Sequence, residues 1–492
     1  MTWIHPLAPQ TGETAEVLGG KGHGLVVLRR LGLPVPPGFV IGTAAGRALR
    51  RDGRFPPGFD AELAAAVARL ETDTGRRLGG PERPLAVSVR SGGSVSMPGM
   101  MNTVLNLGLS TEATAGLAAE TADPRFALDS RRRFLAGFAA ATGRPAGEGV
   151  PEDPMRQLES AVRAVLSSWD TPRARTYREL HDIPHDLGTA VTVQAMVFGN
   201  RDERSGTGVA FSRDPNTGAP VPFGEALFGC QGEDVVSGRS PTRPLSDVAE
   251  REPGVWSGLL AALDRIERHY RDACQVEFTF EAGRLWLLQV RPGGLTGRAA
   301  VRVAVDLADA GVISRREAVR RVGPERLDHA GTPRLAAGAE ILTRGLGACP
   351  GVATGRLATT ADRAARMAAD GPVILVRPET SPLDLHGIAA AAGVVTARGG
   401  PASHAAVVAR AMGRPAVVAV RDLAVDVAGS CARAGGRTIA EGSIITIDGT
   451  GGEIAIGSPP VVTEGPDAAL DRLLDWAGEL ADEPDTPPRD DR

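Results

Sequence analysis

Cysteine is scarce in this chain: Cys230, Cys274, Cys349 and Cys431 are the four among 492 residues, and they are scattered. None of them has the spacing of a metal site. Neither a disulfide framework nor a zinc cluster is expected to organise the fold, and a reducing compartment is expected. A basic block is missing as well. Lys and Arg number 55 against 59 Asp and Glu, a formal charge of −4, which argues against a nucleic-acid partner. No apolar run is long enough to span a bilayer, and the N-terminus MTWIHPLAPQTGET lacks a basic stretch followed by an apolar one. A cytoplasmic protein with no membrane partner is the expectation. A Walker A loop is also absent, because the glycine turn around Lys21 has neither its spacing nor its closing Ser or Thr.

What is present describes an ordinary globular chain, with 42% hydrophobic and 23% charged residues, enough apolar side chain to build packed cores. The length suits two to four domains. Gly 62 and Pro 37 are both high, so many turns and loops are expected.

The first informative segment is VLGGKGHGLVVLRRLGLPVPPGFVIG (17–42). Lys21 stands in a glycine turn, a short helix with Leu25, Leu28 and Leu31 on one face follows, and Phe39-Val40-Ile41 reads as a strand after the prolines. Accessible backbone N–H groups beside a point charge suit a polyphosphate; a plain surface turn is the alternative. In LAVSVRSGGSVSMPGMMNTVLNLGLS (85–110), alternation of Leu85, Val87 and Val89 predicts a strand that delivers Arg90 to a glycine-rich loop. That loop is too polar for a core and suits a cover over a ligand, with Arg90 offering a fork of donors to phosphate oxygens. Met97, Met100 and Met101 fit either a flexible apolar lid or irregular core packing. Residues 111–180 read mostly as helix, with Arg131, Arg132 and Arg133 on a solvated face. Period two returns at 189–200 and 206–218, and Glu233 and Asp234 in GEALFGCQGEDVVSG (224–238) are loop carboxylates able to meet magnesium.

QVEFTFEAGRLWLLQVRP (275–292) has the pattern of a hairpin, with Val276, Phe278 and Phe280 on one face and Glu277 on the other. Gln289 and Arg291 share a parity on the second strand. A carboxylate and an amide pushed out of apolar strands need polar partners: Mg²⁺ bridging nucleotide phosphates, or a network of buried hydrogen bonds. Charge-mixed helical sequence runs from about 299 to 330, and 331–345 reads as a linker. From 346 short strands and helices interleave, and a helix, ALDRLLDWAGELA (469–481), precedes a Pro- and Asp-rich tail expected to be disordered. The most suggestive stretch is GVVTARGGPASHAAVVARAMGRPAVV (393–418). A strand breaks at Gly399-Gly400-Pro401, Ser403 is placed to cap a helix, and His404 falls in its first turn. A phosphate on that imidazole would be stabilised by unpaired backbone N–H groups; a satisfied capping histidine is the alternative.

Six blocks, LGGKGHGLVVLRRLGLPVPPGF, LAVSVRSGGSVSMPGMMNTVLNLGL, GTGVAFSRDPNTG, QGEDVVSG, RPETSPLDLHG and TARGGPASHAAVVARAMGRP, come in one order over about residues 15–458. Together they resemble the N-terminal part of the pyruvate, phosphate dikinase family, which is related to phosphoenolpyruvate synthase. The resemblance implies an α/β multidomain protein. An ATP-grasp nucleotide-binding region would span 1–297, with an inserted helical part at about 111–185. A helical connector and linker (298–345) and a swivelling phosphohistidine α/β domain (346–458) would follow, then the C-terminal helix and tail (459–492). It implies that Lys21 and Arg90 contact the ATP phosphates, that Glu277 and Gln289 bind Mg²⁺ or nucleotide, and that Arg291 completes the phosphate end. The loop 92–101, with Gly99 and Met101, would close over the transferred groups. His404 would take the β-phosphoryl of ATP while orthophosphate takes the γ-phosphoryl, releasing AMP and pyrophosphate. A homodimer is a further expectation.

Departures from the family pattern carry expectations of their own. Ala402 stands where the family usually has a threonine, which in plant and some bacterial members is the regulatory phosphorylation site. Asn102 replaces a loop aspartate and Gln275 an aspartate two residues before Glu277, each removing negative charge from the expected metal–phosphate region. The family continues into a pyruvate-binding (β/α)₈ barrel, and no βα repeat follows LDRLLDWAGELA. The phosphoryl acceptor is therefore expected outside this chain, as a separate barrel subunit with pyruvate or as another small molecule.

Overall fold

A computed structural model describes residues 2–95, 97, 99–145, 149–237, 242–293, 295, 297–327, 333–401, 403–463 and 468–481. The chain up to Pro292 is built on two five-stranded antiparallel sheets. The first runs in the order Ile4–Pro6, Gly38–Ile41, Ala190–Ala195, Val87–Gly92, Thr103–Leu107. The second runs Arg243–Pro244, Phe223–Phe228, Gly206–Phe211, Cys274–Glu281, Arg284–Pro292. Each sheet buries its apolar parity. Val276, Phe278 and Phe280 are fully buried against the helix Pro253–Tyr270 and against Leu25, Val26 and Leu28 of the helix Ala15–Arg30. Val87, Val89, Val191 and Val193 face Phe134, Phe138, Leu158 and Val162 of the inserted helices.

Those inserted helices start where the chain provides caps. Asp123 accepts from the backbone N–H groups of Arg125 and Phe126 ahead of Pro124, and Asp153 accepts from Met155 ahead of Pro154. Each cap stabilises its helix by about 1 kcal/mol, and the prolines give up no hydrogen bond in a first turn. The helices Gly297–Asp309 and Arg315–Leu327 follow the hairpin and pack on the C-terminal helix Ala468–Ala481 through Leu473 and Trp476.

The C-terminal α/β body holds an eight-stranded sheet. Its centre is parallel, Val352–Ala358, Val373–Arg377, Gly393–Thr396 and Ala416–Val418. Antiparallel strands flank it on both sides. The α/β multidomain expectation holds. The reading of 331–345 as a linker does not: Pro333–Leu335 pairs with Val461–Thr463, and Ile341–Arg344 joins the large sheet beside Glu453–Ile456. Both partners lie more than a hundred residues away, so no local pattern announces these strands. The tail 482–492 and Ala402 lie outside the described residues. Among the described residues no helix is long and apolar enough to cross a membrane.

Candidate functional site

A cavity of about 1910 Å³ separates the two antiparallel sheets from the C-terminal body, and residues of both line it. On the first wall the helix Ala15–Arg30 breaks at Gly19, where φ is +68° and ψ 158°. Only glycine fits: a Cβ there would lie 1.7 Å from the Gly92 carbonyl oxygen. Gly20 N–H donates to Gly93 at 2.8 Å, and the helix restarts with Lys21 in its first turn. Lys21 is the only lysine in the chain; every other side-chain cation apart from histidine is arginine. Part of it reaches the cavity, yet protein surrounds it, and burial pulls its ammonium down to about 7, with Arg90 and Arg291 adding to the shift and Glu277 opposing it.

Arg90 is delivered by the strand Val87–Gly92 as expected. Its Nη2 donates to Gln194 Oε1 and to the Leu288 carbonyl, both at 2.9 Å. Its Nε is buried without a partner, and its Nη1 lies 4.0 Å from Glu277. The hairpin pairs Glu277 with Gln289 and Gln275 with Arg291, so all four share the cavity face. A register shift between Glu277 and Phe278 bends the strand beside the carboxylate. Arg291 reaches Glu277 at 3.4 Å. With its amide oxygen turned to Arg291, Gln289 accepts from Nε at 2.6 Å and Nη2 at 2.8 Å. The oxygens assigned from sequence to a metal therefore already serve arginines.

No group of three or more His, Cys, Asp or Glu side chains converges as a metal cage among the described residues. One carboxylate flanked by amides does fit Mg²⁺ that draws most of its oxygens from phosphates and water, the usual arrangement of nucleotide-bound magnesium. Glu233 lines the cavity. Asp234 does not: it accepts from Arg133 at 3.1 Å and from Gln231 N–H at 3.0 Å. Arg133, read as part of a solvated face, thus bridges Asp234 and Asp129.

Most of the described residues of the glycine loop line the cavity. Met100 is fully buried, and Met97 and Met101 pack beside it in a cluster that also holds Tyr177 and Ala405, Val408 and Ala409 of the opposite body. The methionines therefore pack in a core cluster, with Met97 and Met101 also lining the cavity. Asn102 is not at the phosphate end, contrary to expectation. It lies in the loop's stem, where Nδ2 donates to Ala141 at 3.1 Å and Oδ1 accepts from Arg173 at 2.6 Å. A carboxylate could make only the second bond. Gln275 does line the cavity beside Glu277.

On the second wall His404 opens the helix His404–Ala411. Ser403 occupies the N-cap position, but its hydroxyl makes no capping bond and is buried without a partner, which corrects the capping expectation. His404 is 7% exposed. Its Nδ1 lies 3.1 Å from Thr380 Oγ1, its Nε2 is buried without a partner among the described residues, and the residue lines the cavity. Burial drives the imidazole down to about 4, with Asp384 opposing, so the ring is neutral above that pH. Gly99, at φ +72°, lies against the ring. A Cβ on it would be 3.4 Å from His404 Cδ2, 3.8 Å from Nε2 and 2.9 Å from Pro382 Cγ.

Further contacts hold the two walls together. A Cβ on Gly400 would meet the Glu225 carboxylate at 1.6 Å, and Thr242 donates to that carboxylate at 2.5 Å. Arg410 stacks over Phe211 at 5.6 Å, and Asn216 donates to the Gly347 carbonyl at 3.1 Å. Sequence reading missed Gln194, Glu225, Thr380, Asp384 and Arg410. Thr380 and Asp384 stand in the RPETSPLDLHG block, but nothing local says that this block meets His404.

Two family models match the chain. Residues 47–253 match pyruvate phosphate dikinase, AMP/ATP-binding domain, and 369–452 match PEP-utilising enzyme, mobile domain. Arg90 falls in the first match and His404 in the second. The chain is 40% identical over 538 residues to pyruvate, phosphate dikinase of Rhizobium meliloti (strain 1021), covering 96% of itself and 60% of that protein. It is 40% identical over 514 residues to pyruvate, phosphate dikinase 2 of Zea mays, covering 94% of itself and 58% of the relative. To pyruvate, phosphate dikinase of Clostridium symbiosum it is 39% identical over 526 residues, covering 96% and 60%. The chain thus spans at most 60% of the length of these relatives.

Proposed function

Because the chain belongs to the pyruvate, phosphate dikinase family, we propose that it is an ATP-dependent dikinase that phosphorylates its own His404. The observation that carries this reading is that His404, neutral and with no partner for Nε2 among the described residues, lines the same cavity as Lys21, Arg90 and Arg291. In the proposed reaction the Nε2 lone pair forms a bond to the β-phosphorus of ATP. The bond from that phosphorus to the oxygen shared with the α-phosphate breaks, and AMP leaves with the electron pair. Orthophosphate takes the γ-phosphoryl and departs as pyrophosphate, leaving one phosphoryl on His404.

Lys21, Arg90 and Arg291 offset charge on the transferring groups, the kind of preorganised contact whose removal costs roughly 10²–10³ in rate. Mg²⁺ held by Glu277, with Gln289 beside it and phosphate oxygens completing its shell, would add charge neutralisation. The Gly99–Met101 turn keeps bulk water from the imidazole. The phosphoryl then passes to an acceptor, pyruvate on a barrel subunit or another small molecule.

ATP labelled at the β position tests the reading. Wild-type chain should gain acid-labile label with orthophosphate present and release AMP, and His404→Ala should gain none. Unlabelled wild type, or a labelled His404→Ala, overturns it. Gln275, an uncharged side chain next to Glu277 on the cavity face, favours a second reading: a nucleotide-binding regulatory homologue. That reading predicts ATP binding without AMP or pyrophosphate formed.

A further inference from the structure

We propose that Thr380 is a positioning residue that holds His404 as the Nδ1–H tautomer, so that only Nε2 offers a lone pair to the phosphoryl donor. The inference rests on the dikinase reading and names a device within it.

The strand Val373–Arg377 leads into the segment that carries Thr380, and the chain there is tied into a fixed turn. Ser381 N–H donates to Asp384 Oδ2 at 2.8 Å, Ser381 Oγ to the same oxygen at 3.1 Å, and Leu383 N–H to Ser381 Oγ at 3.3 Å. Asp384 is in turn 3.3 Å from Arg377 Nε. Thr380, 7% exposed, is thereby held with its hydroxyl 3.1 Å from Nδ1. It also lines the cavity, where its own O–H can turn.

A neutral imidazole carries one ring proton, and in water it prefers Nε2. Here that choice would bury an N–H with no acceptor among the described residues, where Nε2 has no partner. An orphaned buried donor is rarer and costlier than an under-used acceptor. The other tautomer gives the N–H to Thr380 and leaves Nε2 as a bare lone pair. The same arrangement balances the transfer. Nε2 forms the bond to phosphorus, the leaving oxygen takes the electron pair, and Nδ1 keeps its proton, so no proton need leave the ring. The positive charge that develops on the phosphorylated ring is met by Thr380 Oγ1 and by the Asp384 carboxylate, whose field already acts on His404.

The test uses full-length chain labelled with ¹⁵N-histidine, His404 being assigned by His404→Gln, beside β-labelled ATP. Wild type should show a pyrrole-type Nδ1 and a pyridine-type Nε2 at His404. Thr380→Val, of similar shape without the hydroxyl, should shift the ring toward Nε2–H and slow labelling about 10- to 100-fold. Thr380→Ser should restore both. Unchanged tautomer and labelling in Thr380→Val overturn the assignment, as does a slow Thr380→Val whose tautomer matches wild type. A wild type that takes no label, yet loses Nδ1–H in Thr380→Val, overturns the dikinase reading and leaves the tautomer assignment standing.

Discussion

The two walls of the cavity use burial for opposite ends. On the nucleotide side, Lys21, Arg90 and Arg291 crowd together with Glu277 between them, and burial leaves Lys21 with a pKa of about 7. On the other side, burial leaves His404 at about 4, well clear of neutral pH. A charged imidazole would be pushed away from three cations and would have no lone pair at Nε2. A neutral one approaches them freely. Lys21, by contrast, is held near neutrality, and in the proposed reaction an arriving polyphosphate would supply the opposite charge that burial withholds. The comparison teaches that one physical term, desolvation, keeps an imidazole neutral on one face and weakens an ammonium on the other. Under the proposed reaction that suits a nucleophile and a ligand-dependent cation. It also gives a reason for lysine at position 21 in a chain that otherwise uses arginine: an arginine there would keep its charge regardless of ligand.

The comparison breaks most severely if a cation is removed. Arg90→Leu should lower the rate of His404 labelling by roughly 10²–10³, measured by rapid quench. An unchanged rate would mean that the crowded cations do not touch the transferring groups. A smaller effect reads the nucleophile's side through stability. The folded pKa of His404 lies below that of an unfolded histidine, so the unfolded chain binds more protons between about pH 4 and 6.5. Stability should therefore rise with pH across that window, by on the order of 3 kcal/mol. In His404→Asn that part of the slope should vanish in urea titrations at stepped pH. The smallest effect sharpens the lysine side. At pH 8 the free ammonium is mostly neutral, so ATP binding should take up a fraction of a proton that approaches one. Calorimetry in two buffers of different ionisation enthalpy measures it, and Lys21→Met should abolish it.

Much of this arrangement was legible before any coordinates. Period-two alternation placed Arg90 and Glu277 opposite the buried parity of their strands, because a strand that buries one face must display the other. Gln289 and Arg291 share the parity of buried Leu285 and Leu287, and reach the cavity face only because Leu288 is an extra residue in the register. The mostly helical reading of 111–180 did not single out Asp123 and Asp153, which cap helices through bonds made within three residues. The failures share a cause too. Strands 333–335 and 341–344 exist only because 461–463 and 453–456 come back to pair with them. Ser403 has the identity and position of a cap, yet its hydroxyl makes no capping bond. Asn102 looked like a lost metal-site charge and is a clasp between Ala141 and Arg173.

Local chemistry, then, is what the sequence by itself determined: which segments are strands or capped helices, which loops need glycine, and which side chains could face phosphate. Those depend on contacts a few residues long and on the side chain's own charge. Tertiary structure alone decided that Gly99 lies against the His404 ring, that Thr380 meets Nδ1, and that Lys21 and His404 face one cavity. Desolvation and hydrogen-bond pairing are properties of surroundings, and here segments hundreds of residues apart supply them.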